Sequence, residues 1–118
     1  MKIYDDYKHN LLKDITSLYK KTNSKIWLTV KSNLLKPNST RPEVNVEKIA
    51  KFTKNNDIVI VPGKVLGDGD ISHIVKIGAL NFSDSSISKI TSCGGEALLI
   101  PQFIEKYGAK GGIKLIEG

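Results

Sequence analysis

The sequence predicts one α/β domain of the α+β kind, an N-terminal helical arm packed on a β-rich core. Three observations predict it. Apolar residues recur at helical spacing through the first half, the period changes abruptly at Ile58, and from there β-branched runs alternate with short helical segments. At 118 residues, 40% hydrophobic and 25% charged, the chain can build one core and not two. That composition excludes disordered, collagen-like and low-complexity chains. Residues 1–118 are therefore expected to form a single domain, with 1–56 its basic helical part and 57–118 its β-rich core.

The first helix is predicted from Tyr4 through Lys21, because Tyr7, Leu11, Ile15, Leu18 and Tyr19 form one stripe. Asp5 and Asp6 in its first turn and Lys20 and Lys21 in its last complement the helix dipole. Thr22-Asn23-Ser24 breaks it. Ser24 is expected to cap a second helix with Ile26, Trp27, Val30 and Leu34 inward and Lys25, Lys31 and Lys36 on polar faces, stopped by Pro37. Asn38 to Arg41, followed by Pro42, reads as a loop. Asn45 suits the cap of a third helix, with Val46, Ile49 and Phe52 on one face and Lys48, Lys51 and Lys54 on the other, ended by Asn55-Asn56.

Ile58-Val59-Ile60-Val61 predicts a strand buried on both faces. Pro62-Gly63 reads as a turn, Val65-Leu66 as a second short strand and Gly67 to Asp70 as another turn. A longer strand is expected over Ser72 to Leu80, with Val75, Ile77 and Ala79 on one face. Ser83 is expected to cap a helix holding Ile87 and Ile90, closed by Gly94-Gly95. Ala97 to Ile100 is a strand, Pro101 opens a helix with Phe103, Ile104 and Tyr107 ended by Gly108, and Lys110-Gly111-Gly112 leads to a last strand, Ile113 to Ile116.

The charge is uneven. Lys and Arg number 18 against 12 Asp and Glu, a net +6, and all but Arg41 of these cations are lysines. Residues 1–56 carry 12 cations and 5 acids, residues 57–118 carry 6 and 7. A basic half of this kind meets a polyanion or an acidic surface, or else is a solvated helical face. The candidate nucleic-acid contacts are Lys20, Lys21, Asn23, Ser24 and Lys25 at the helix junction, Lys31, then Lys36, Asn38, Arg41 and Asn45 around the following loop, and Lys64. They combine cations with short hydroxyl and amide side chains, the mix found at sugar-phosphate contacts rather than in base readout. Trp27, beside Ile26 and one turn before Val30, is expected in the core.

No catalytic, metal or cofactor site is expected. Cys93 is the single cysteine, which excludes an internal disulfide and suits a small buried hydrophobe. His9 and His73 lack partners at metal-ligand spacing, and Asp68-Gly69-Asp70 lacks the later ligands of a calcium loop. No serine sits in a nucleophile elbow. A glycine-rich phosphate loop over Gly63 to Gly69 remains the alternative that would make the chain a nucleotide-binding enzyme, although its glycine order does not fit the dinucleotide fingerprint. No signal peptide or membrane span is apparent, so a cytoplasmic protein without a membrane partner is expected.

Further residues carry a family resemblance. The run Ile60 to Gly69 (IVPGKVLGDG), with Trp27, Leu35-Lys36-Pro37 and Glu43-Val44-Asn45-Val46 before it and Ala79-Leu80-Asn81-Phe82-Ser83 and Gly94-Gly95-Glu96 after it, resembles the archaeal and eukaryotic eighteenth large-subunit ribosomal protein, a family related to the bacterial fifteenth large-subunit protein. Thr22-Asn23-Ser24 is also similar to eukaryotic members. The resemblance spans nearly the whole chain. It implies a structural, non-catalytic protein of the large ribosomal subunit that binds ribosomal RNA and neighbouring ribosomal proteins, with a core of irregularly coiled β-β-α units. It marks Pro62-Gly63-Lys64, the Trp27 helix and the Lys36 to Asn45 segment as signature positions. The long basic tail of eukaryotic members has no counterpart after Ile116, which suits the shorter archaeal form, and the lysine bias implies many point-charge phosphate contacts rather than bidentate forks. A free-standing small basic RNA-binding protein has the same electrostatics and stays the alternative.

Overall fold

A computed structural model describes residues 3–37 and 40–117, with side chains from residue 9 onward. Asn38 and the side chains of Tyr4, Asp5, Asp6 and Tyr7 lie outside the described residues. The elements in order are α1 (Ile3–Thr22), α2 (Ile26–Leu35), β1 (Glu43–Asn45), α3 (Val46–Phe52), β2 (Asp57–Leu66), β3 (Val75–Phe82), α4 (Asp84–Ser92), β4 (Glu96–Leu99), α5 (Ile100–Tyr107) and β5 (Lys114–Leu115).

The mixed helix and strand class holds, and the five strands form one parallel sheet in the order β1-β2-β3-β4, with β5 also on β2. The β-branched run at its centre explains why. Val59 and Val61 point to one face, where α3 and α4 cover them with Val46, Ile49 and Ile90; Ile60 points to the other, where α1, α2 and α5 supply Leu11, Ile15, Trp27, Val30 and Phe103. A strand covered on both faces cannot alternate polar and apolar residues, and this one does not. Trp27 is 1% exposed, so its indole belongs to the core as expected. β3 takes one edge of β2. The other edge is shared end to end, by β5 at Val59 and Ile60 and by β1 at Lys64 to Leu66.

Several local expectations are corrected. Pro62-Gly63 is not a turn: β2 runs unbroken from Asp57 to Leu66, and only its register against β3 slips between Val61 and Lys64. Pro62 has no N–H for the ladder, and such an irregularity is where a sheet accommodates one. Gly63 is there for a close approach, since a Cβ would stand 2.0 Å from the Pro42 carbonyl oxygen, which accepts the Lys64 N–H at 3.0 Å. With residues 63–66 in the sheet, Gly63 to Gly69 does not form a phosphate loop. Strand β1 was not expected, three residues being too few to show a period. β3 begins at Val75 rather than Ser72 and continues to Phe82.

The caps divide as well. Ser83 caps α4, its Oγ accepting the Ser86 N–H at 3.2 Å. Ser24 does not cap α2: Lys25 holds the cap position with helical φ and ψ, and the helix is entered through the Ser24 carbonyl, which accepts the Trp27 N–H at 3.3 Å. Asn45 occupies the α3 cap position, but its Oδ1 accepts the Asp68 N–H at 3.3 Å instead. Phe52, expected inward, is 59% exposed at the last turn of α3, past the end of the core.

Gly78, paired with Ile60 across the sheet, makes room for the buried Phe103 ring, which would lie 2.4 Å from a Cβ. Gly78→Ala is expected to cost about 1–3 kcal/mol through overpacking, read as a lower urea midpoint with an unchanged slope.

Candidate nucleic-acid interface

Two turns and one loop position the cations. At the α1–α2 junction, Thr22 Oγ1 donates to the Leu18 carbonyl and accepts the Ser24 N–H, while Asn23 adopts φ 57, a left-handed conformation that asparagine tolerates. The chain reverses there, and Lys20, Lys21 and Lys25 all stay exposed around it. None of the three forms an ion pair among the described residues. No acidic residue stands in the first turn of α2, so its positive end adds to the local potential. Lys31 is half-buried along α2.

At the far end of α2, about 15 Å away for a ten-residue helix, stands the second group. Arg41 closes that end, Nε donating to the Asn33 carbonyl at 3.0 Å and a terminal nitrogen to the Leu34 carbonyl at 2.8 Å. The one arginine thus serves as a helix cap. Lys36 is exposed beside it, in the extended conformation that Pro37 imposes on its predecessor. Lys64 pairs with Glu43 in the β1–β2 ladder, joining this group through the Pro42 contact, and Asn45 is spent on Asp68. The described candidates therefore fall into two clusters, one at each end of α2, with Lys31 between them.

The neutral half shows why its charge sum misleads. Lys106 pairs with Glu96 at 2.7 Å and Lys114 with Asp57 at 2.8 Å, Lys76 donates to Asn56 Oδ1, and Lys89 Nζ donates to the carbonyls of Gly67 and Gly69, both at 2.6 Å. These four cations have partners within the chain, those of Lys106 and Lys114 at the surface. Lys110 is not in an ion pair among the described residues; it lies over the Tyr107 ring at 5.8 Å. The loop Lys110-Gly111-Gly112 lines, together with Lys21, Ser24 and Trp27, a cleft of about 350 Å³. The sequence-derived set omitted this loop, and its only local signal was an exposed Lys-Gly-Gly after a helix end.

The ammonium of Lys106, and then the Tyr107 hydroxyl, hold the Glu96 carboxyl below the usual carboxylate range. Lys114 and then the Lys54 N–H do the same for Asp57. Burial, reinforced by Glu96, pushes Tyr107 up. Because both carboxyls titrate lower folded than unfolded, their stabilisation is complete at neutral pH and is lost as pH falls through their depressed values. Urea midpoints are expected to hold from pH 7 to the top of the carboxylate range and to drop below it, with a shallower drop in Asp57→Asn plus Glu96→Gln.

Thr53 Oγ1 donates to the Ile49 carbonyl, so the His73 Nε2 at 2.7 Å is the donor to that hydroxyl, and Cys93 Sγ lies 3.2 Å from the His73 carbonyl oxygen. Both side chains tie the 67–74 crossover to α3 and α4. No group of three or more His, Cys, Asp or Glu converges among the described residues, and no described helix is long and apolar enough to cross a membrane.

Comparison with known proteins agrees with the motif reading. A family model described as ribosomal protein 60S L18 and 50S L18e matches residues 1–118. The large ribosomal subunit protein eL18 of Sulfurisphaera tokodaii is 37% identical over 92% of this chain and 92% of its own length. That of Methanothermobacter thermautotrophicus is 40% identical over 92% of each, and that of Archaeoglobus fulgidus 41% identical over 81% and 82%. With the VPGKVLG segment explained by the β1–β2 contact and the family model spanning the whole sequence, the chain belongs to the family of ribosomal protein 60S L18 and 50S L18e.

Proposed function

We infer that the chain is a structural constituent of the large ribosomal subunit, binding ribosomal RNA and neighbouring ribosomal proteins without catalysing a reaction. The observation that carries the RNA contact is the α1–α2 junction: Lys20, Lys21 and Lys25 are exposed, close in sequence and not ion-paired among the described residues, on a protein of net charge +6. Lys36 and Lys64 form a second, weaker contact beside the Pro42 crossing. Arg41 and Asn45 support the fold there. Family membership supports ribosomal RNA as the polyanion and the large subunit as the particle.

Each phosphate neutralised by a lysine releases counterions, so affinity of the full chain for large-subunit RNA falls linearly on a log-log salt plot. A slope of several units is expected from filter binding between about 50 and 200 mM salt. Salt-independent affinity would contradict the reading.

A further inference from the structure

We propose that the cleft between the α1–α2 turn and the Lys110-Gly111-Gly112 loop is a seat for one stretch of RNA sugar-phosphate backbone, so that the nominally neutral half contributes a contact of its own. This rests on the RNA-binding reading above and specifies where part of that binding occurs.

Four observations converge on it. Lys21 and Lys110 both line the cleft, and no carboxylate is among its described lining residues. Of the cations in residues 57–118, Lys76, Lys89, Lys106 and Lys114 are engaged by carboxylates, carbonyls or an amide, whereas the exposed Lys110 ammonium has no such acceptor among the described residues and lies over the Tyr107 ring. The glycines supply the third. Those at 63, 67 and 78 each answer to an atom within 2.4 Å of a would-be Cβ, and Gly112 answers to its φ of +76; Gly111 has neither reason, for its Cβ would meet nothing within 4 Å and its φ is not in the left-handed region. A bare backbone that the fold does not require is what close approach by another molecule requires. Last, the half-buried Ile26 and Ile113 add apolar side chains to the same lining as Ser24 and the two lysines, backed by the buried Trp27. A sugar-phosphate stretch, part apolar and part anionic, matches that mixed lining, and a free phosphate would leave its apolar part uncovered.

The test uses the full chain, large-subunit RNA and three variants: Lys110→Met, Gly111→Ala and Gly111→Leu. Lys110→Met is expected to lower the log-log salt slope by about one. The glycine variants are expected to melt at the parent temperature, since neither meets protein atoms near Cβ, while RNA affinity falls more for Leu than for Ala, by tenfold or more. Inorganic phosphate at matched ionic strength is expected not to displace the RNA. Parent slope and affinity in all three variants, with the parent still binding in a salt-dependent way, would overturn this contact and leave the general function standing. Displacement by inorganic phosphate would reduce the cleft to a free-anion site and overturn it too. Normal RNA affinity with failed subunit incorporation would assign the cleft to a neighbouring protein, again against the proposal. No salt-dependent binding by the parent chain would remove both readings together.

Discussion

Adding one methyl group at Gly63 is expected to detach β1 from the sheet and lower stability by about 3 kcal/mol or more, more than overpacking alone usually costs. The difference from Gly78 lies in what the methyl meets. At Gly78 it meets a phenyl ring that can tilt; at Gly63 it meets the Pro42 carbonyl oxygen at 2.0 Å and its carbon at 2.9 Å, both backbone. To relieve the clash, Pro42 must retreat, which breaks the Lys64 N–H bond to that oxygen and pulls at the Glu43 to Asn45 ladder. Val44, 1% exposed, would lose its place in the core with it. Calorimetry on Gly63→Ala is expected to show a melting temperature lower by about 10 °C or more. A shift of only a degree or two would mean that β1 does not approach β2 in this way.

Exchanging Lys20, Lys21 and Lys25 together for Glu is expected to weaken RNA binding by about a hundredfold or more near physiological salt and to lower the log-log salt slope by two to three units. The net charge falls from +6 to zero. Folding is expected to survive: all three side chains are exposed, and exposed charges contribute little. The loss of two cations from the last turn of α1 costs at most about 1 kcal/mol each. A melting temperature near the parent's with lost RNA affinity is therefore the expected pair of results. Unchanged affinity would place the RNA elsewhere on the molecule.

What could be read ahead of the structure was what adjacent residues decide for themselves. The Leu11, Ile15 stripe, the Ile58 to Val61 run, the Ser83 cap and the Pro101 helix start each depend on a few consecutive side chains. What could not be read depends on a distant partner. Pro62-Gly63 has the composition of a turn, and only the arrival of the Pro42 carbonyl, twenty residues earlier in the chain, makes it part of a strand. Ser24 has the chemistry of a cap, but Asn23 had already turned the chain into a left-handed conformation that places Lys25 at that position.

The interface divides along the same line. Lys20, Lys21 and Lys25 are visible as a local cluster, and the structure keeps them exposed. Arg41 drew attention as the single arginine, yet it spends its donors on the last carbonyls of α2. Lys110 was hidden in a half whose charges sum to −1, because a sum does not distinguish cations consumed by Glu96, Asp57 and loop carbonyls from one held over a tyrosine ring.

Sedimentation tests the central claim most directly. If the chain is a constituent of the large ribosomal subunit, a tagged full-length copy expressed in a cell of a related organism will travel with the large subunit and remain there after a moderate salt wash, while the Lys20, Lys21, Lys25 triple variant will be depleted from that fraction. A folded chain found only at the top of the gradient, or distributed equally among all RNA-containing fractions, would contradict it and favour a free-standing RNA-binding protein.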